Sequence, residues 1–211
     1  MYLYKDDAEQ LTAELKKGLR VALKNVSAQL LDFLKDSDWA MIIKLHAAIE
    51  ATITQVILAH MEQQVLRSVI ERLPLSDNQT GKGKIALDLG VITKGQFTFI
   101  RRFSELRNSL VHRVENINFD LGEWYSGLDA QQRKSWKSAI AWQKGIDKQK
   151  VLVDMLESNP KLGLFLSVFT IVTVLTCAEQ EYLVRSKVDM LSDRTMKELF
   201  GDKSDLVDDE V

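Results

Sequence analysis

The stretch that decides the fold is residues 93–113, TKGQFTFIRRFSELRNSLVHR. Apolar side chains recur in it every three or four residues from Phe99 to Val111, which is the spacing of one helix face. Thr93 stands before this stripe in the position of an N-cap. The pattern predicts a helix from Thr93 to about His112, with its apolar face packed against other elements.

The segments on either side carry the same kind of stripe. Residues 5–35, 39–73 and 162–187 have apolar side chains at helical spacing, and shorter helical stretches lie between them. Ten glycines and two prolines are too few for the many turns of a sandwich or barrel. We therefore expect an all-α bundle.

Two regions are predicted to depart from long helices. Residues 113–122 are expected to be irregular, and Ser192 is expected to cap a last short helix that Gly201 ends. The final residues, 201–211, hold five acids and one lysine, a charge of −4. Such a composition predicts a disordered acidic tail. The chain is thus expected to form one domain over residues 1–200.

Composition limits the classes of function. The 211 residues carry a net charge of −2, which excludes a globally basic nucleic-acid binder but allows a local basic patch. Cys177 is the one cysteine and no secretory signal is visible, so a cytoplasmic location is expected. Residues 162–178 have no charge and approach the length of a membrane span. Regularly spaced serine and threonine favour a buried core helix, with no membrane partner.

The strongest local signal for chemistry is the trio Arg107, Asn108 and His112. Cleavage of RNA by its own 2′-hydroxyl needs a base, an acid and a cation for the phosphorane charge, and no metal or cofactor. Histidine supplies the first two roles and arginine the third. Arg107 lies about 140° around the helix from His112, so two facing copies would be needed to complete an acid–base pair.

This Arg-Asn-x3-His element resembles the Arg-x4–6-His motif of the HEPN superfamily. Residues 45–50 (LHAAIE) and 85–92 (IALDLGVI) resemble the branch of that superfamily that contains the mannitol operon repressor family. The resemblance covers about residues 39–185. It implies a bundle of four to five main helices plus short ones, and a homodimer formed through the motif helices.

Two functions follow from this resemblance. Many HEPN proteins are metal-independent endoribonucleases of toxin–antitoxin or defence systems, which implies that Arg107 and His112 are catalytic, that Asn108 orients them, and that an antitoxin or other protein restrains the enzyme. The alternative is a non-catalytic regulator that binds protein or nucleic acid, in which Arg107 pairs with Glu105 or Glu50. An unrelated helical module with an accidental motif is the third interpretation.

Basic side chains indicate where RNA would bind. Residues 131–150 have six basic residues and one acid, with Trp136 and Trp142 among them, and exposed tryptophans can stack on unpaired bases. The alternative is a solvated basic helix whose tryptophans are core anchors. The candidate nucleic-acid contacts are Arg101, Arg102, Arg113, Lys134 and Lys137.

Two further patterns are expected to be structural. His46 and Glu50 are one helical turn apart, but two ligands do not make a metal site. Residues 81–84 (GKGK) lack the full P-loop pattern and are predicted to be a plain basic loop.

Overall fold

The computed structural model describes residues 2–112 and 114–201, and within these residues it is helical and has no strand. The α-helices are α1 (Lys5–Phe33), α2 (Asp38–Met61), α3 (Arg67–Ile70), α4 (Lys82–Asp88), α5 (Lys94–Val111), α6 (Leu121–Gly127), α7 (Ala130–Ile140), α8 (Ile146–Ser158) and α9 (Pro160–Phe200). Two 3₁₀-helices, Gln64–Leu66 and Val114–Asn118, join some of them. The all-α prediction is confirmed.

Helices α2 and α9 form the centre of the bundle. The N-terminal half of α9 packs against α1, α2 and α8, while α2 also contacts α4 and α5. Asn159 caps α9, and Pro160 occupies its first turn, where a missing backbone N–H costs nothing. The core that these helices share is almost wholly aliphatic and aromatic, and includes Ile42, Leu45, Ile49, Ile53, Phe99, Phe103, Leu164, Val168 and Leu175.

Helices α2 and α5 run antiparallel, and this pairing positions the candidate site. The indole N–H of Trp39, at the start of α2, donates to the carbonyl of Leu110, near the end of α5, at 3.4 Å. At the start of α5, Thr93 and Gln96 form a capping box, which confirms the predicted N-cap. The helix ends at Val111 with His112 as its C-cap. The register therefore places the last two turns of α5 beside the first two turns of α2.

The C-terminal half of α9 extends beyond the bundle as a two-helix stalk with α1. Helix α2 ends near His60, whose ring lies 4.6 Å from that of Tyr182 on α9. Further along, ion pairs link Lys187 to Glu14 at 2.7 Å and Arg194 to Asp7 at 3.0 Å. The stalk is thus joined by exposed ion pairs as well as by its apolar seam.

Three predicted boundaries were wrong. Helix α2 ends at Met61 rather than at about residue 73, because Glu62 adopts a left-handed backbone (φ 54°) that no α-helix can continue. No separate last helix begins at Ser192, which is buried inside α9 and accepts a hydrogen bond from the backbone N–H of Tyr2 at 3.2 Å. The segment predicted to be irregular contains a 3₁₀-helix and the start of α6.

Two helices are long and apolar enough to cross a membrane by length and composition alone. Their mean hydropathies over the best window are 1.5 for Asp38–Met61 and 2.0 for Pro160–Phe200. About half of each window is buried inside the bundle, at 56% and 50%. Core helices pass the same test, so this finding is weak evidence for a membrane location.

Candidate functional site

Helix α5 separates Arg107 from His112. Arg107 lies on the side that faces α2, where its side chain is half-buried, and His112 is exposed at the helix end. Among the described residues, the one side chain that Arg107 hydrogen-bonds is Asn108, whose Oδ1 accepts from Nη1 at 3.1 Å. The Nε of Arg107 is buried and has no hydrogen-bond partner there. The arginine therefore keeps unused donors, and one chain does not bring it to His112.

The acids expected to pair with Arg107 are taken by other cations. Glu105 accepts from Arg102 at 2.8 Å, and Glu50 accepts from Lys82 at 2.8 Å. Within residues 2–112 and 114–201, Arg107 has no carboxylate partner. A half-buried guanidinium without a counter-charge is costly unless a ligand supplies one. The ion pair expected for the regulator is therefore absent from this part of the chain.

His46 is the histidine that lies near Arg107 within one chain. It is 6% exposed on α2, and its Nε2 lies 3.1 Å from Ser104 Oγ on α5. The hydroxyl of Ser104 donates its one proton to the carbonyl of Ile100, at 2.8 Å. The hydroxyl must therefore accept from His46, so Nε2 carries the proton and Nδ1 of the neutral ring does not.

The surroundings of His46 keep it uncharged. The pKa of His46 is lowered from 6.5 to about 4, chiefly by burial and next by the nearby positive charge of Arg107. Glu50 opposes this shift, and Lys82 adds a smaller lowering effect. At neutral pH the ring is therefore neutral. It has the structural role that was expected for it, because it links α2 to α5 through its hydrogen bond with Ser104.

Lys82 is the first residue of α4, so the prediction of a plain basic loop over residues 81–84 was wrong for residues 82–84. Its side chain is 3% exposed and its Nζ contacts Glu50, whose side chain is 35% exposed. The chain next to this lysine passes close to Leu75, since a Cβ at Gly83 would lie only 2.9 Å from the carbonyl oxygen of Leu75. Glycine is needed at such a close backbone approach.

We call His46, Glu50, Lys82, Ser104 and Arg107 the polar cluster. Its residues lie on α2, α4 and α5, where these three helices meet. Sequence reasoning missed Lys82 and Ser104 because nothing in the local pattern distinguishes them from surface residues. The one available signal was Glu50, an acid one turn from a histidine on an otherwise apolar helix.

Three of the five predicted nucleic-acid contacts line a groove on another side of α5. Arg101, Arg102 and Lys134 line one groove between α5 and α7, with a volume of about 350 Å³. A neighbouring pocket of about 270 Å³ shares Arg102 and extends to Ser109. We call these two together the α5–α7 groove. His112 lies three residues beyond Ser109 and within about 20° of the helix face of Arg101.

Other predicted contacts are placed differently. Lys137 forms an ion pair with Glu157 on α8 and does not line the groove, and Arg113 lies outside the described residues. Trp136 is 4% exposed and packs edge-on against Trp124, so its ring cannot stack on a base. Trp142 is half-buried against the hydrophobic core. The tryptophans are therefore core anchors.

No group of three or more His, Cys, Asp or Glu side chains that could hold a metal ion occurs in the part of the chain that the structure describes. The polar cluster contains one histidine and one acid, and the acid is already paired. Its remaining capacity is a set of unused arginine donors, which suit an anion such as a phosphate group.

Comparisons of the chain with protein-family models, with curated proteins and with solved structures found no match. Within the described residues, the fold and the site thus define an all-helical protein with an arginine at a helix interface that has no carboxylate partner, and with a groove between α5 and α7 that three cations line.

Proposed function

We propose that the protein is a metal-independent endoribonuclease of the HEPN type, acting as a cytoplasmic homodimer in a toxin or defence system. Arg107 stabilises the charge on the reacting phosphate, His112 is general base or acid, and Asn108 orients Arg107. An antitoxin or another protein partner restrains the activity in the cell.

The observation that carries this proposal is the state of Arg107. Its guanidinium has no carboxylate partner among the described residues, a buried Nε without an acceptor, and one hydrogen bond, to Asn108. Such a donor set is complementary to a phosphate, whose oxygens accept two parallel N–H bonds.

The α5–α7 groove supports an RNA substrate. Three cations and one acid line it: Glu105 pairs with Arg102, while Arg101 and Lys134 have no ion-pair partner within the described residues. Hydroxyl groups of Ser135 and Ser138 line the same groove and can donate to phosphate or ribose oxygens. The hydroxyl of Thr98, which also lines it, already donates to the carbonyl of Lys94 at 2.9 Å. The groove runs along α5 from Thr98 to Ser109, and His112 follows three residues later, so we expect a strand lying in it to pass near the imidazole.

A dimer is part of the proposal because one chain does not assemble the site. Arg107 and His112 lie on different sides of α5, and no contact joins them in the described chain. A second copy facing the end of α5 would bring its own arginine and histidine to the site and provide an acid and a base together.

RNA cleavage by the purified full chain in the presence of EDTA tests the proposal. Wild type should leave 2′,3′-cyclic phosphate ends. His112→Ala should lower the rate about 10²- to 10⁴-fold, because it removes a proton-transfer group. Arg107→Ala should lower it about 100-fold or more, because it removes a donor to the transition state.

Arg20→Ala, at an exposed arginine on α1, is the matched control and should cleave like wild type. Circular dichroism and sedimentation establish that each variant is folded and dimeric. An inert wild type over a broad panel of RNAs, or full activity in His112→Ala, contradicts the proposal.

A non-catalytic regulator is the second candidate function. The half-burial of Arg107 and its bond to Asn108 favour it, because both hold the arginine as a structural residue would be held. This regulator would bind protein or nucleic acid, and His112 would serve only to end α5. Stable RNA binding without cleavage, unaffected by His112→Ala, would favour this candidate over the enzyme.

A further inference from the structure

Three charged side chains of the polar cluster approach His46 from three helices. Arg107 and Glu50 shift its pKa in opposite directions, and Lys82 acts on it more weakly, so all three charges lie close to the ring. The cluster holds two cations and one carboxylate. Lys82 contacts this carboxylate, and Arg107 has no acidic partner within the described residues.

The backbones of Glu50 and Arg107 lie about one helical turn to either side of the His46–Ser104 pair. The two helices are antiparallel, so Glu50 follows His46 by one turn in one direction and Arg107 follows Ser104 by one turn in the other. Side chains on a helix lean towards its N-terminus. Both side chains thus lean back over the His46–Ser104 pair, where a carboxylate and a guanidinium would attract each other.

The carboxylate is instead held by Lys82. Its ammonium lies 2.8 Å from Glu50 Oε1, and its side chain is almost fully buried. A buried lysine cannot pair with solvent, so Glu50 is the acceptor it requires. Arg107 keeps access to solvent on one side, since it is only half-buried and Asn108 beside it is exposed.

We propose that Lys82 is a positioning residue for Arg107: it holds Glu50 in an ion pair and so keeps the Arg107 guanidinium free for a phosphate group. The proposal rests on the proposed ribonuclease function for the identity of the phosphate, which is that of an RNA strand. Lys82 touches no substrate in this account and acts through Glu50 alone.

The reason is one of competition between two cations for one acid. When Lys82 is absent, Glu50 gains by pairing with Arg107, and a phosphate must then displace a neighbouring carboxylate. A bidentate arginine–carboxylate pair uses the same donors that a phosphate would use. Loss of the lysine should therefore inhibit the site even though no group that contacts RNA has changed.

Three variants test this inference: Lys82→Met, Glu50→Gln and the double variant. Methionine keeps the length of the side chain and suits a buried position, and glutamine keeps the shape of Glu50 without its charge. Lys82→Met should lower kcat/KM for RNA cleavage about tenfold to a hundredfold, the range for losing hydrogen bonds to a charged group. The double variant should recover to within about threefold of wild type.

A merely structural role for Lys82 gives a different pattern. It predicts that Lys82→Met and the double variant lose activity equally, because neither has the ion pair. Equal loss in two folded variants would overturn the inference, and so would full activity of Lys82→Met. Glu50→Gln alone leaves Lys82 buried without a partner, so a lower melting temperature is expected for it but not for the double variant.

A second readout does not depend on RNA. The Nε–H of Arg107 can be followed by ¹⁵N NMR through its hydrogen exchange with water. Exchange should be slower in Lys82→Met than in wild type, because Glu50 then accepts from the guanidinium, and it should return to the wild-type rate in the double variant.

The two readouts separate the two proposals. An inert wild type with the expected exchange pattern would refute the ribonuclease and keep the role of Lys82. An active wild type with unchanged exchange in Lys82→Met would refute the role of Lys82 and keep the ribonuclease.

Discussion

The arginines on the two sides of α5 differ in whether an acid neutralises their charge. On the side of α7, Arg102 pairs with Glu105 at 2.8 Å and its guanidinium lies 5.8 Å from the ring centre of Trp136. On the side of α2, Arg107 has no acid among the described residues, although both arginines have a buried Nε without a partner. The arginine on the side of α2 is thus the less neutralised of the two.

This difference separates stability from function. A cation that is paired and packed on an aromatic ring stabilises the native state, which describes Arg102. A half-buried cation without a counter-charge destabilises it unless a ligand binds. Residues retained in spite of such a cost mark functional sites more often than paired ones do. On the side of α5 that faces α2, we therefore expect Arg107 to receive a phosphate group.

The largest expected effect concerns pH and His46. Its pKa in the folded protein is about 4, below the 6.5 expected for the unfolded chain. Between these values the unfolded state binds a proton that the folded state does not, so stability falls as the pH falls from about 6.5 to 4. The loss attributable to His46 should be on the order of 3 kcal/mol.

Urea unfolding at pH 7 and at pH 4.5 measures this loss. His46→Gln should show a smaller decrease in unfolding free energy between the two pH values than wild type, and glutamine can still donate to Ser104. His112→Gln, at an exposed histidine, is the matched control. An identical decrease in wild type and His46→Gln would mean that the folded protein does not disfavour the protonated form of His46.

The next effect compares the two arginines directly. Arg102→Ala should lower the free energy of unfolding by about 1 kcal/mol, because it removes an ion pair and the contact with Trp136. Arg107→Met should leave it unchanged or raise it slightly, since it removes an uncompensated charge. Thermal and urea unfolding of both variants, without ligand, make the comparison. If Arg107→Met lowers the free energy of unfolding more than Arg102→Ala does, then Arg107, and not Arg102, is the arginine that stabilises the fold.

The smallest effect concerns the α5–α7 groove. Arg101→Ala and Lys134→Ala should each weaken binding of single-stranded RNA and reduce the slope of log K against log salt by about 0.7, the value for one phosphate contact. Fluorescence anisotropy at several salt concentrations measures the slope. Lys24→Ala, at an exposed lysine on α1, should leave it unchanged. If all three slopes equal that of wild type, the groove does not carry the RNA backbone.

Much of the fold could be predicted because it depends on local spacing. The stripe from Phe99 to Val111 and the cap at Thr93 were enough to place α5 within about one residue at each end. The end of α2 could not be predicted in this way, since residues 64–73 keep an apolar pattern after the chain has turned at Glu62. The prediction at Ser192 was wrong for a related reason. Serine is common at helix N-caps, and the local sequence does not distinguish such a cap from a serine buried inside a longer helix.

For the candidate site too, some features follow from local spacing and others depend on contacts between helices. The sequence alone determined that Arg107, Asn108 and His112 lie within two turns of one helix, because helical geometry fixes their spacing and angles. Only the tertiary structure decided which charges meet: Lys82 takes Glu50, Arg102 takes Glu105, and Arg107 is left facing His46. Pairing of charges depends on distances between helices that are far apart in the chain, and local periodicity carries no information about those distances.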